Sequence, residues 1–440
     1  MRGINLKESL KIGLYLQTND VCNENDFNKA SEIIRSSDMD LVVFPEVAYF
    51  PFESQFAEAD ILNPDEYAAL EDKTIELSEA LGRAVMICNV DRYQSTLAIY
   101  ANAFASDEET LVKDYLKHTM TGFSAFDLSD YPEVIDDLFN PIILKGNRIG
   151  MTICYDCNHS VFSRKYGQNN VDVILNSTGG DVVYDKWFKY NKVRAIENNC
   201  HVFVTMGGSG DSKAAQSCVF GFNPKGKAMT PTLINGKDTE LHNVAGGLYM
   251  YDISADDGMD EPDKSINQTE TANKKFDILL SKGDLDKILA GGKKVDDDIV
   301  VVNFKDNNIV FCIVNGEDIF KPEKILRLLY SKKIRDINSK KYVIANRWKF
   351  IDQDLYDKKL SVVLKVRAME NYCAVMLVSD NMTKCFQCGY NRTAQVVKPT
   401  GQDFGIDLSR TDGPEVIWKD KTGMKASWRK NMEILVESLK

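Results

Sequence analysis

The 440-residue chain has no uninterrupted apolar run of about 18 residues, the length a helix needs to cross a bilayer, so no membrane span and no membrane partner is expected. It also lacks an excess of positive charge. Its 54 Lys and Arg stand against 65 Asp and Glu, a net charge of −11. Such a surface repels phosphate backbones and argues against nucleic acid as a partner. The four histidines, His118, His159, His201 and His242, are scattered. Cys385-x-x-Cys388 has no second Cys/His pair near it in sequence, so no zinc site is expected. Gly207-Gly208-Ser209-Gly210 lacks the Lys-Ser/Thr that completes a phosphate loop. The first twenty residues lack a long apolar core and a small-residue cleavage site, and read as a first strand instead of a signal peptide. What is present is ordinary for a folded protein, with 44% hydrophobic and 27% charged residues. Cys88, Cys200, Cys218, Cys312 and Cys373 sit inside apolar runs, as reduced core thiols do, which points to a cytoplasmic protein. The length suggests two or three domains.

The first ~256 residues alternate between strand-like and helix-like segments. Short apolar runs at 11–18, 41–44, 84–90, 148–155, 171–176, 201–207, 217–222 and 246–253 read as strands. Phe27, Ala30, Ile33 and Ile34 form a helical stripe with Asp26 as its N-cap. Residues 64–81 carry Pro in the first turn, an acidic start and Gly82 just past the end. Trp187, Tyr190, Val193 and Ile196 mark another helix. This mixture argues for an α/β (α+β) domain at 1–256. Residues 257–296 are polar and aperiodic and read as a linker. Order returns at 297–440, with strands at 299–304 and 309–314 and a helix near 322–330.

That last part resembles the second half of the first. NRIGMTICYD at 147–156 matches NNIVFCIVNG at 307–316, and KVRAIENNCHVFV at 192–204 matches KVRAMENYCAVML at 365–377. A Pro-x-Gly turn at Pro224 recurs at Pro399. The match sets Ile153 on Ile313, which places Val314, a residue unable to attack a carbonyl, opposite Cys154.

Three residues stand beside or at the ends of apolar strand-like segments: Glu46 after LVVFP, Lys117 after DYL, and Cys154 after IGMTI. A cysteine becomes a good nucleophile when a base removes its proton, and a carboxylate can do so. A nearby ammonium can stabilise the thiolate and the oxyanion formed on a carbonyl. The same residues could also be an ordinary ion pair beside a core thiol.

The words around them, LVVFPE, YLKHTM, GMTICYD, VRAIENN and FGFNPKGK, occur in an order that resembles the nitrilase superfamily of carbon–nitrogen hydrolases. The resemblance covers residues ~9–256. It implies a four-layer αββα sandwich with Glu46, Lys117 and Cys154 as a catalytic triad in a pocket at the strand ends. It also implies an oxyanion site that includes the backbone N–H of Tyr155. The expected reaction is cleavage of a non-peptide linear amide through a thioester, with release of ammonia or amine and no cofactor. The expected partner is a small-molecule amide. Family members commonly pair, so a homo-oligomer is expected. Cys154-Tyr155-Asp156 looks like the amidase branches, whereas nitrile-cleaving members more often carry Trp after the cysteine. Many amidase relatives continue Arg-Phe-Pro-Glu where this chain has Asn158-His159-Ser160-Val161, so a substrate carboxylate would not be gripped in the usual way. Asp127, with Glu133 as the fallback, is the candidate for the auxiliary acid that follows the lysine in many relatives. His159 reads as a solvated loop residue, and Cys157 as a bland neighbour of the nucleophile. Residues 297–440 are expected to be a degenerate, inert nitrilase-like module. Two other readings of the chain are acyl transfer from the same thioester and a non-catalytic sensor or scaffold.

Overall fold

The structure, a computed structural model, describes residues 8–16, 24–46, 48, 64–89, 96–101, 111–118, 129, 135, 138–179, 184–207, 218–235, 247–254, 276–388, 394–396, 404–414 and 427–440. It divides into two compact units, Met1–Asp260 and Glu261–Lys440.

In the first unit a seven-stranded sheet has the order β11-β12-β1-β2-β3-β4-β5. Its strands are β1 (Lys11–Leu16), β2 (Leu41–Val43), β3 (Ala84–Asn89), β4 (Thr96–Ala101), β5 (Leu111–Leu116), β11 (Thr232–Asn235) and β12 (Gly247–Asp252). A five-stranded sheet, β10-β9-β8-β7-β6, contains β6 (Ile142–Leu144), β7 (Asn147–Ile153), β8 (Val173–Thr178), β9 (His201–Met206) and β10 (Cys218–Phe222). The sheets face each other. Thr205 Oγ1 donates to the Tyr15 carbonyl at 2.8 Å, Ser177 Oγ donates to the Phe44 carbonyl at 2.7 Å, and the rings of Phe203 and Tyr251 lie 5.0 Å apart. Helices α1 (Glu24–Ser36) and α2 (Pro64–Leu81) cover the first sheet, with Phe27, Ile34, Leu77 and Leu81 packed on Val42, Val85 and Ile87. Helices α3 (Ser160–Gln168) and α4 (Tyr184–Asn198) cover the second. Tyr166 of α3 lies where a Cβ on Gly150 would fall, and Phe188 of α4 meets Phe220 and Phe222. This is the four-layer αββα sandwich. Burial on both sides explains why the central strands read as near-continuous apolar runs.

Three local expectations change. Helix α1 runs over Glu24–Ser36, so Asp26 lies inside it and is not its N-cap. Strands β4, β6 and β11 were not expected as strands, and β5 only at its end beside Lys117. His159 is buried, at 8% exposure, because the turn before α3 folds it under Tyr155 and Phe162.

The second unit is built on a seven-stranded sheet of order β14-β15-β16-β17-β18-β19-β20. These strands are β14 (Lys293–Asp296), β15 (Ile299–Phe304), β16 (Asn307–Asn315), β17 (Lys340–Arg347), β18 (Ala374–Val378), β19 (Thr383–Cys388) and β20 (Ala394–Val396). Strands β13 (Ile278–Leu280) and β21 (Phe404–Ile406) pair separately. The helices are α5 (Lys282–Gly291), α6 (Pro322–Leu329), α7 (Ser361–Asn371) and α8 (Ser427–Ser438). Of the stretch 257–296 expected as a linker, residues 278–280, 282–291 and 293–296 therefore form regular structure. Ser281 and Asp284 form a capping box that starts α5, and Ile278, Leu280 and Leu285 pack on Phe311, Val343 and Met376. Those few apolar anchors, separated by exposed charge, are too sparse to show as a period.

Each unit contains the same run of elements. In the first, β6-β7-turn-α3-β8-α4-β9-β10 pairs antiparallel, parallel, parallel and antiparallel. In the second, β15-β16-turn-α6-β17-α7-β18-β19 pairs in the same four directions. The turn after β7 is a single 3₁₀ stretch starting at Cys154, and the turn after β16 is one starting at Gly316. Both starting residues have positive φ, +45° and +50°. The residue opposite Cys154 is thus Gly316 and not Val314. Strand β16 has nine residues against seven in β7. A two-residue slip leaves the alternation of faces intact, so the apolar pattern could not reveal it.

Candidate active site

Glu46, Lys117 and Cys154 each follow the last residue of a strand or lie just beyond it. Glu46 is three residues past β2, Lys117 immediately follows β5, and Cys154 immediately follows β7. Strands β2 and β5 belong to the first sheet and β7 to the second, and the face-to-face packing brings the three ends together. Lys117 Nζ lies 2.6 Å from Glu46 Oε1. The backbone N–H of Gly179, just after β8, donates to Glu46 Oε2 at 3.0 Å. Cys154 Sγ lies 3.9 Å from the Gly179 carbonyl oxygen. Both oxygens of the carboxylate are thereby held, and all three side chains are buried.

Burial pushes the Cys154 thiol well above the ordinary range, and the charge and hydrogen bond of Glu46 push it further, against the pull of Lys117. Burial acts to strip the proton from Lys117, but the charges of Cys154 and Glu46 outweigh it and hold that ammonium above its usual value. The resting pattern is a protonated thiol beside an ion pair. A buried pair of this kind contributes little net stability, yet removing one partner strands a charge at a cost of about 3–5 kcal/mol.

The second sheet supplies the frame. Asn176 Nδ2 donates to Thr152 Oγ1 at 2.9 Å and reaches the Cys154 carbonyl at 3.5 Å. Trp187 Nε1 donates to Thr178 Oγ1 at 3.2 Å. Arg194 of α4 is buried; its Nε donates to the carbonyl of Cys157 at 2.8 Å and its guanidinium pairs with Glu197. The KVRAxENxC word is therefore a clamp on the turn that begins with the cysteine. Arg367 repeats it in the second unit, with Nε donating to the Ile319 carbonyl at 3.1 Å and Nη1 to Glu370 at 2.6 Å.

Tyr155 is half-buried against Trp187 and His159. Asp127 and Glu133 lie outside the described residues. Cys157 is buried, and burial pushes its thiol up to about 12. His118 and His159 are pushed down to about 3 by burial, so both imidazoles are neutral. Among the described residues no group of three or more His, Cys, Asp or Glu could hold a metal ion, and no helix is long and apolar enough to cross a membrane. Residues that the sequence reading passed over are Asn176, Thr178, Gly179, Tyr115 and Asp156. The signal for the first two was visible as polar residues ending the apolar run VILNST.

Residues 21–224 match the family profile described as carbon–nitrogen hydrolase. That stretch, a little under half of the chain, is similar to this family. Among solved structures the chain is similar to an amidase from Nesterenkonia sp., at 17% identity over 57% of this chain and 93% of that one, with a TM-score of 0.40. It is also similar to a carbon–nitrogen hydrolase from Helicobacter pylori G27, at 10% identity over 56% and 89%, with a TM-score of 0.39. No curated protein matches the chain.

Proposed function

We propose that the first unit hydrolyses a small, non-peptide linear amide through a thioester on Cys154. The observation that carries this reading is the buried Glu46–Lys117 pair with both carboxylate oxygens engaged, beside a thiol whose proton the carboxylate can accept. Glu46 takes the thiol proton as Cys154 attacks the carbonyl carbon. Lys117 and the backbone N–H of Tyr155 stabilise the tetrahedral oxyanion. Glu46 returns the proton to the departing nitrogen, which leaves as ammonia or amine, and the thioester remains. Glu46 then deprotonates a water that attacks the thioester, and the proton returns to the thiolate. The Tyr-Asp that follows the cysteine favours amides over nitriles.

The second unit, on this reading, is a relative of the second half of the first that has lost its chemistry. The shared strand directions, the repeated left-handed turn start and the repeated Arg–Glu clamp support it. With glycine at the turn start, it has no nucleophile there.

The test is an ammonia-release screen over amides and nitriles with the full chain, run beside Cys154→Ser and Glu46→Gln. Cys154→Ser should abolish release, since the second unit supplies no substitute, and Glu46→Gln should lower kcat about 10²–10⁴-fold. Undiminished release from Cys154→Ser would end the proposal. Adding a free amine separates hydrolysis from acyl transfer by the product formed.

A further inference from the structure

We propose that Asp156 is a positioning residue whose buried carboxylate ties the turn carrying Cys154 to the strand end carrying Lys117. The inference rests on the reading of Cys154 and Lys117 given above. Asp156 is fully buried. Its Oδ2 accepts from Tyr115 Oη at 2.9 Å and from the backbone N–H of His118 at 3.3 Å. These donors lie two residues before and one residue after Lys117. Tyr115 and His118 are buried as well, their rings edge-on at 4.8 Å.

The tie answers a need that the topology creates. Among the described residues strand β5 is the edge of its sheet, with β4 as its single neighbour. The β4–β5 ladder ends at the pair Thr96–Leu116. Lys117 therefore stands one residue beyond the ladder's end, whereas Cys154 stands on a clamped turn at the end of the other sheet. The Lys117 ammonium reaches the other sheet through Glu46 and the Gly179 N–H, but the backbone that carries Lys117 needs a tie of its own. The Asp156 carboxylate supplies that tie, and its charge also favours the ammonium form of Lys117.

The second unit provides the comparison. Its turn has aspartate at the same third position, Asp318. The turns close alike: the N–H of His159 donates to the Asp156 carbonyl at 3.0 Å, and the N–H of Lys321 donates to the Asp318 carbonyl at 3.1 Å. Yet the Asp318 side chain is 35% exposed and pairs with Lys321 at 2.8 Å. Burying the carboxylate is thus not a requirement of the turn. It accompanies the presence of a lysine strand end to be held.

The test uses the full chain and the rate at which iodoacetamide alkylates Cys154, read by mass spectrometry, with thermal melting alongside. Asp156→Ala should react about 100-fold more slowly, the scale expected when a reacting group is misplaced by about 1 Å. Asp156→Asn keeps an oxygen for both donors and should recover most of that rate. Tyr115→Phe should fall between wild type and Asp156→Ala. A lowered melting temperature with an unchanged alkylation rate in Asp156→Ala would overturn the proposal, as would an Asn variant no faster than Ala. Should Asp156→Ala not fold, Tyr115→Phe decides, and a wild-type rate there overturns it. Ammonia release that survives Cys154→Ser would overturn this inference together with the reading beneath it. Loss of release in Cys154→Ser with a normal rate in Asp156→Ala would overturn the positioning role alone.

Discussion

His118 and His159 are imidazoles enclosed by rings, His118 among Tyr115, Phe139 and Phe162, and His159 between Tyr155 and Phe162. Their ordinary value of 6.5 is lowered to about 3 in the fold. Between these values the unfolded chain takes up protons that the folded chain refuses. Stability should therefore be unaffected above pH 6.5 and fall as pH drops below it. The slope is roughly 1.4 kcal/mol per pH unit for each imidazole, as an upper figure. Urea unfolding at pH 7.5 and 5.5 checks this, and His118→Leu should remove about half of the difference due to the pair. A midpoint equally pH-sensitive in that variant would refute the assignment. At this scale the candidate triad was legible, because a charged or thiol side chain after an apolar run is conspicuous. Asp156 was not: one aspartate in a turn looks like any other, and the two donors that give it a role come from a strand about 40 residues away.

At the scale of elements, the Arg194–Glu197 and Arg367–Glu370 pairs show what the most recognisable word in the sequence is for. Each arginine reaches from a helix to the carbonyl of the fourth residue in a 3₁₀ turn, and each helix ends in a left-handed residue, Asn199 or Tyr372. Replacing Arg367 with Met should cost about 3–5 kcal/mol in urea unfolding of the second unit, because Glu370 is left buried without its cation. A loss under 1 kcal/mol would show that the clamp is dispensable. The central strands and helix 64–81 were legible because they are apolar on both faces or bounded by Pro and Gly. Strand β4 and the start of β5 were not, since Thr, Tyr, Lys and Asp interrupt their apolar residues and β4 gains its extended form from pairing with β3 and β5. The elements at 278–296 escaped for a related reason: their anchors gain meaning only from the core they fill.

For the whole molecule, the two units pose one question in two chemical settings. Both turn starts adopt left-handed backbone, a conformation that costs a residue with a side chain roughly 1–2 kcal/mol and glycine almost nothing. In the first unit a cysteine bears that cost. In the second, Gly316 avoids it, and a Cβ placed there would meet no atom within 4 Å. Gly316→Ala should therefore lose about 1–2 kcal/mol to backbone strain alone, with no clash to confuse the reading. Calorimetry of that variant against wild type is the check, and an unchanged melting temperature would contradict it. At Gly316 the same backbone tension that the sulfur-bearing residue sustains can be weighed in a residue without a side chain.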